Sequence, residues 1–189
     1  MDAKREMLMH TLATLAYRTA KAVERAPARY PDFDAGEGTR TPIQILRHMA
    51  DLLRQTRSLF VPGEPIQDPP EGHAWADAVD DLRDAIRTLA RELPESQVRV
   101  RMDGVEVTAE QILQGPLSDA ITHAGQLAYL RRLAGSPIPS ENFMRADVHR
   151  VLREWTAPRP GHAAAAPERE PEPSAAQTAE APRHVEVVS

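Results

Sequence analysis

Between Trp75 and Leu93 the apolar residues Trp75, Val79, Leu82, Ile86, Leu89 and Leu93 recur at alternating steps of four and three without a break. That spacing returns each apolar side chain to one side of an α-helix and does not fit the period-two alternation of a half-buried strand. A helix with one apolar stripe must bury it against other elements, so this segment commits its surroundings to a helical assembly. Asp77, Asp80, Asp81 and Asp84 fall elsewhere on the same helix and are expected to form its solvated face; Pro94 ends it.

The flanking segments read the same way. A first helix is expected from about Ala3 to Glu24, with Leu8, Leu12, Leu15, Thr19 and Val23 on one face and Pro27 and Pro31 to stop it. Thr41-Pro42-Ile43-Gln44 marks the next start, with Thr41 as cap, Pro42 in the first turn and Gln44 to close a capping box. This second helix turns Ile45, Met49, Leu52, Leu53, Leu59 and Phe60 inward and ends by Pro62-Gly63. Only 4% of residues are aromatic, so the core must be built from Leu, Ile, Val, Met and Ala, which favour helices. With 41% apolar residues in 189, one all-α domain with a tail is the expected organisation.

Beyond Pro94, QVRVRMDGVEV alternates apolar and charged residues around Asp103-Gly104, which suggests a short β-hairpin or extended excursion before the last bundle helix. Thr108-Ala-Glu-Gln111 is a second capping-box string, followed by a short helical turn, Gly115-Pro116, and a fourth helix from about Leu117 to Leu133 closed by Gly135 and Pro137. Phe143 to Trp155 is read as a short terminal helix laying Val148, Leu152 and Trp155 on the core. The domain is thus expected over 1–156. Residues 157–189 turn to Pro, Ala and Glu and are expected to be a disordered tail, because they cannot bury enough surface to offset chain entropy.

The net charge of -5 comes from interspersed acids and bases, so nucleic acid and anionic membrane surfaces are not expected partners. Absence of cysteine excludes disulfides, thiolate ligands and a Cys nucleophile, and any thiol chemistry would need a thiol supplied as co-substrate. No apolar run approaches the roughly 20 residues that span a bilayer, and MDAKREMLMH lacks the layout of a secretion signal, so a cytoplasmic location is expected.

One set of residues could carry chemistry. His48 lies between Ile45 and Leu52 on the apolar side of the second helix, while Asp119 and His123 are four apart on the fourth, on the face of Leu127 and Leu130. An aspartate buried there must be protonated, ion-paired or bound to a cation, and an imidazole one turn away is a suitable co-ligand. Two imidazoles and a carboxylate from two helices make a three-ligand site with open positions. The alternative, an Asp119–His123 contact at a helix edge with His48 packed elsewhere, stays open on spacing alone. His10, His73, His149, His162 and His184 have no partner at ligand spacing, and Tyr17 and Trp75 read as core or rim residues.

Asp119-Ala-Ile-Thr-His123-Ala-Gly-Gln126-Leu, followed by Tyr129-Leu-Arg-Arg-Leu-Ala-Gly135-Ser-Pro, resembles the last-helix signature HxxxHRGQL of DinB/YfiT-like proteins. Pro42-Ile-Gln-Ile-Leu46-Arg-His48 is similar to that family's P-x-x-x-L-x-H segment, so the resemblance spans roughly residues 5–140. It implies an up-down-down-up four-helix bundle that holds a divalent metal through His48, Asp119 and His123, with zinc or nickel expected and iron or manganese as alternatives. Asp119 stands where the family has histidine and Ala124 where it has arginine; Gly125 would allow close helix approach and Gln126 would support a ligand or substrate. The implied activity is that of a metal-dependent transferase of low-molecular-weight thiols or a hydrolase acting on a small-molecule substrate, in a chain that can homodimerise. The rival reading is a non-catalytic helical interaction module with a structural or lost metal site. A chain ending at Ala157 is expected to melt at the temperature of the full protein, and a large drop in a thermal scan would show that the tail is packed.

Overall fold

Asp2 starts the first helix by accepting the Lys4 backbone N–H at 2.9 Å, and α1 then runs Ala3–Val23. The computed structural model describes residues 2–61, 74–94, 99–102 and 105–157. Leu8, Leu12, Leu15 and Thr19 of α1 are buried and Val23 half-buried, as the stripe requires. At α2 (Pro42–Ser58) the Gln44 side chain accepts the Thr41 N–H at 2.9 Å, which satisfies a donor that the first turn leaves free. Ile45, Met49 and Leu53 are buried, whereas Leu52, Leu59 and Phe60 sit half-buried at the edge. In α3 (Trp75–Glu92) Asp77 reaches back to the Ala74 N–H at 3.3 Å, and Val79, Leu82, Ile86, Leu89 and the following Leu93 are buried.

The solvated acidic face expected on α3 needs one correction. Asp80 and Asp84 pair with Arg83 and Arg87 on their own helix, but Asp81 is only 9% exposed and accepts from Arg54 of α2 at 2.6 Å. Arg54 also holds Asp51 at 2.6 Å. Stripe periodicity cannot reveal this, because an arginine on a neighbouring helix neutralises the charge that would otherwise keep Asp81 in water.

After α3, β1 (Arg99–Met102) and β2 (Val105–Thr108) pair antiparallel, with Arg99 opposite Thr108 and Met102 opposite Val105. The Asp103-Gly104 turn, the Pro62-Gly63 helix end and the tail beyond residue 157 lie outside the described residues. Thr108 caps α4 (Ala109–Ile112): its N–H donates to Gln111 Oε1 at 2.9 Å and its hydroxyl accepts the Gln111 N–H at 3.4 Å. Gly115-Pro116 was expected to separate two helices, yet Leu113–Leu117 is one wide π-turn running straight into α5 (Ser118–Leu133). Proline has no N–H and its ring crowds the carbonyl four residues earlier, and a wider turn accommodates both. The Ser118 hydroxyl donates to the Leu113 carbonyl at 2.6 Å and so satisfies an acceptor in the widened turn.

Contacts join the helices in a ring: α1 and α2 each pack against both α3 and α5, and α6 (Val148–Thr156) lies on α1 and α3 through Val148, Val151, Leu152 and Trp155. Among the described residues no helix is long and apolar enough to cross a membrane. The far end of α5 carries the directional bonds. Tyr30, fully buried, donates its hydroxyl to the Leu127 carbonyl at 2.7 Å, and burial pushes its pKa far above the usual tyrosine value, so the proton stays. Arg131, 5% exposed, donates to the carbonyls of Ala22 and Glu24 at 2.9 and 3.0 Å and to the Ser136 carbonyl and hydroxyl at 2.9 and 3.0 Å. Beyond it Gly135 turns left-handed at φ 75°, and the Gly135 and Ser136 N–H groups close on the carbonyls of Arg132 and Arg131 as a Schellman cap. Arg131→Met strands the exit of α1 without donors and is expected to cost about 2–3 kcal/mol, measurable as a lower urea midpoint.

Candidate metal centre

α2 and α5 meet where α5 offers small buried residues, Ala120 and Ala124, each 1% exposed or less. Ala124 occupies the motif's arginine position and is in the core, so this chain has no arginine there to reach outward. Gly125 does not mediate the approach expected of it: it is exposed, and a Cβ added there would meet nothing within 4 Å. The contact rotates His48 of α2 toward His123 of α5, ring centroids 4.7 Å apart and planes at 86°.

The structure brings His48, Asp119 and His123 together, with one ligand atom from each and all of these within 4.8 Å of one another. Asp119 reaches both rings: Oδ2 lies 3.9 Å from His48 Nε2 and Oδ1 3.6 Å from His123 Nε2. Ligand atoms about 2.0–2.1 Å from one tetrahedral ion stand roughly 3.3 Å apart, so separations that reach up to 4.8 Å would have to shorten by as much as about 1.5 Å, a side-chain adjustment, to close the set. The donor set suits a divalent transition metal: two imidazoles, one carboxylate, and a carboxylate side chain open enough to leave room for further ligands.

Burial falls off across the three residues. The His123 side chain is 8% exposed, that of His48 31% and that of Asp119 49%. Asp119 is therefore not the buried carboxylate that the apolar face suggested, because α5 turns it to the rim, and the desolvation argument for a bound cation does not apply. A different argument replaces it. His123 Nδ1 contacts Gln126 Oε1 at 2.8 Å; with the amide oxygen as acceptor, Nδ1 bears the proton and Nε2 presents a lone pair. An unprotonated Nε2 facing a carboxylate oxygen at 3.6 Å sets acceptor against acceptor, which a cation or an added proton relieves. His48 is held below its ordinary pKa, first by desolvation, then by Arg40 and His123, against the weaker opposing pull of Asp119 and Asp51. Its lone pair is accordingly free near neutral pH.

The remaining histidines divide. His73, His162 and His184 lie outside the described residues. His10 and His149, expected to lack a partner, find each other across α1 and α6 with Nδ1 and Nε2 3.1 Å apart, a contact over 139 residues of sequence that no local spacing encodes. Tyr17 donates to Glu141 at 2.6 Å, a bond that raises its pKa and straps the segment after α5 to α1. What the sequence reading missed is a groove of about 800 Å³ between α2, β2, α4 and the start of α5, with Asp119 in its wall. Its lining is assembled from these four elements and the π-turn between α4 and α5, so no stretch of sequence signals it.

No family model matches the chain, and neither a curated protein nor a solved structure matches it. If Gln126 fixes the His123 tautomer, Gln126→Leu should leave the melting temperature of the metal-free protein unchanged while weakening zinc binding about tenfold in chelator competition.

Proposed function

We propose that the chain is a divalent-metal-dependent enzyme on a DinB/YfiT-like up-down-down-up four-helix bundle, with His48, Asp119 and His123 as the metal ligands. The observation that carries the reading is the convergence of three ligand atoms from two helices within 4.8 Å. The helix ring, in which α1 and α2 are each flanked by α3 and α5, supports the bundle arrangement. Zinc or nickel fits the two imidazoles and the carboxylate best, with iron or manganese as the harder alternatives.

A divalent ion bound there supplies a Lewis acid and lowers the pKa of a nucleophile, water or a small thiol. The chain's own residues do the rest. His48 and His123 approach from adjacent helices and fix two directions, Gln126 holds the His123 ring in the tautomer with Nε2 free, and half-exposed Asp119 leaves the solvent side open to substrate. Without cysteine the chain cannot supply the thiol itself, so a transfer reaction needs a low-molecular-weight thiol as co-substrate; hydrolysis needs only water.

The test is metal analysis of untagged protein. One ion per chain is expected, lost in His123→Ala and retained in Asp119→His, with thermal stability raised by added zinc only in the chains that bind it. Metal-free protein whose melting temperature ignores zinc would falsify the proposal and leave a non-catalytic helical module.

A further inference from the structure

The groove beside Asp119 has a chemical character that its composition alone conceals. Its apolar surface comes from Leu52, Leu59, Val107, Ile112 and Pro116. Hydroxyls also line it, but their donors are committed to the backbone. Thr56 donates to the Leu52 carbonyl at 2.7 Å, Ser118 to that of Leu113 at 2.6 Å, and Thr122 to that of Ser118 at 2.9 Å. The Gln111 amide oxygen is likewise taken by the Thr108 N–H. With those bonds satisfied internally, the threonines offer their methyl groups and the walls behave as apolar surface. Among the described residues, free amide groups remain at the exposed rim, on Gln55 and Gln114 and in the NH2 of Gln111.

Charge narrows the choice of occupant further. Among the described residues, Asp119 is the one ionisable residue in the lining, with no lysine, arginine or histidine beside it to receive an anion along the groove. An anionic tail would lose its hydration against methyl groups without gaining a partner, and a cation in the groove would compete for the carboxylate that faces the histidines. The wall itself includes the π-turn, whose widened backbone carries Gly115 with open space where a Cβ would stand.

We infer that this groove binds the aliphatic portion of an uncharged substrate whose polar, reacting head lies at Asp119 and the two histidines. The inference rests on the metal-site reading above and specifies the substrate class for it. The experiment uses zinc-loaded full-length protein and three probes that share a hydroxamate head: acetohydroxamate, octanohydroxamate, and the monohydroxamate of octanedioic acid, which ends in a carboxylate. Octanohydroxamate is expected to bind about 30-fold more tightly than acetohydroxamate, and the carboxylate-ended probe to lose most of that gain. Gln114→Lys places a cation on the exposed rim without disturbing the core, and should restore affinity for the carboxylate-ended probe alone. Equal affinity for all three probes on zinc-bound protein overturns the groove assignment and leaves the metal reading standing. Failure to hold zinc at all overturns both.

Discussion

Two of the three converging side chains ride on α5, and what fixes the rotation of that helix is a set of directional hydrogen bonds more than an apolar stripe. Its apolar residues spread around the circumference, since Ala120, Ala124, Leu127 and Leu130 are buried while Tyr129 and Leu133 are 62% and 48% exposed. Hydrophobic burial alone would tolerate several rotations of such a helix. The Tyr30 hydroxyl on the Leu127 carbonyl and the Arg131 guanidinium on the exit of α1 accept only one. At 1.5 Å per residue Asp119 stands about 18 Å along the helix from Arg131, so a small error at the anchor would be carried to the site.

The helix that contributes His48 is held by a comparable device. Arg54 grips Asp81 of α3 and Asp51 of its own helix, both at 2.6 Å, with the arginine side chain only 10% exposed. Removing one member of such a buried pair costs more than the pair contributes net, because the other charge is left without a partner. Its value here is positional: it fixes how α2 slides along α3, and His48 lies six residues before Arg54. Both helices that bring the three side chains together are thus registered by arginines outside the site, and the apolar core supplies cohesion between them.

Much of the helical layout was legible because it depends on local rules. The α3 stripe, the Thr41 and Thr108 capping strings and the Gly135 stop each act within a few residues, and each sits where the sequence places it. The meeting of His48 with Asp119 and His123 was legible as well, from one face of α2 and an i, i+4 pair on α5. Exposure of Asp119, the inward turn of Asp81 and the His10–His149 contact were not, since each depends on where a distant element packs. The π-turn at Gly115-Pro116 fails for another reason: a proline there allows either a break or a widened turn, and only the continuous packing of the segments on both sides decides between them.

The half-open position of Asp119 has a consequence for how the proposed centre would be supplied. A carboxylate at the surface, one turn from a shielded imidazole, gives an arriving ion a first hold that it can reach without any helix separating. Loading would then be able to follow folding instead of accompanying it. Which element resides there would be decided by the metal pool of the compartment as much as by the three side chains, since affinity for such ligands rises along the first-row series up to copper irrespective of the chemistry required.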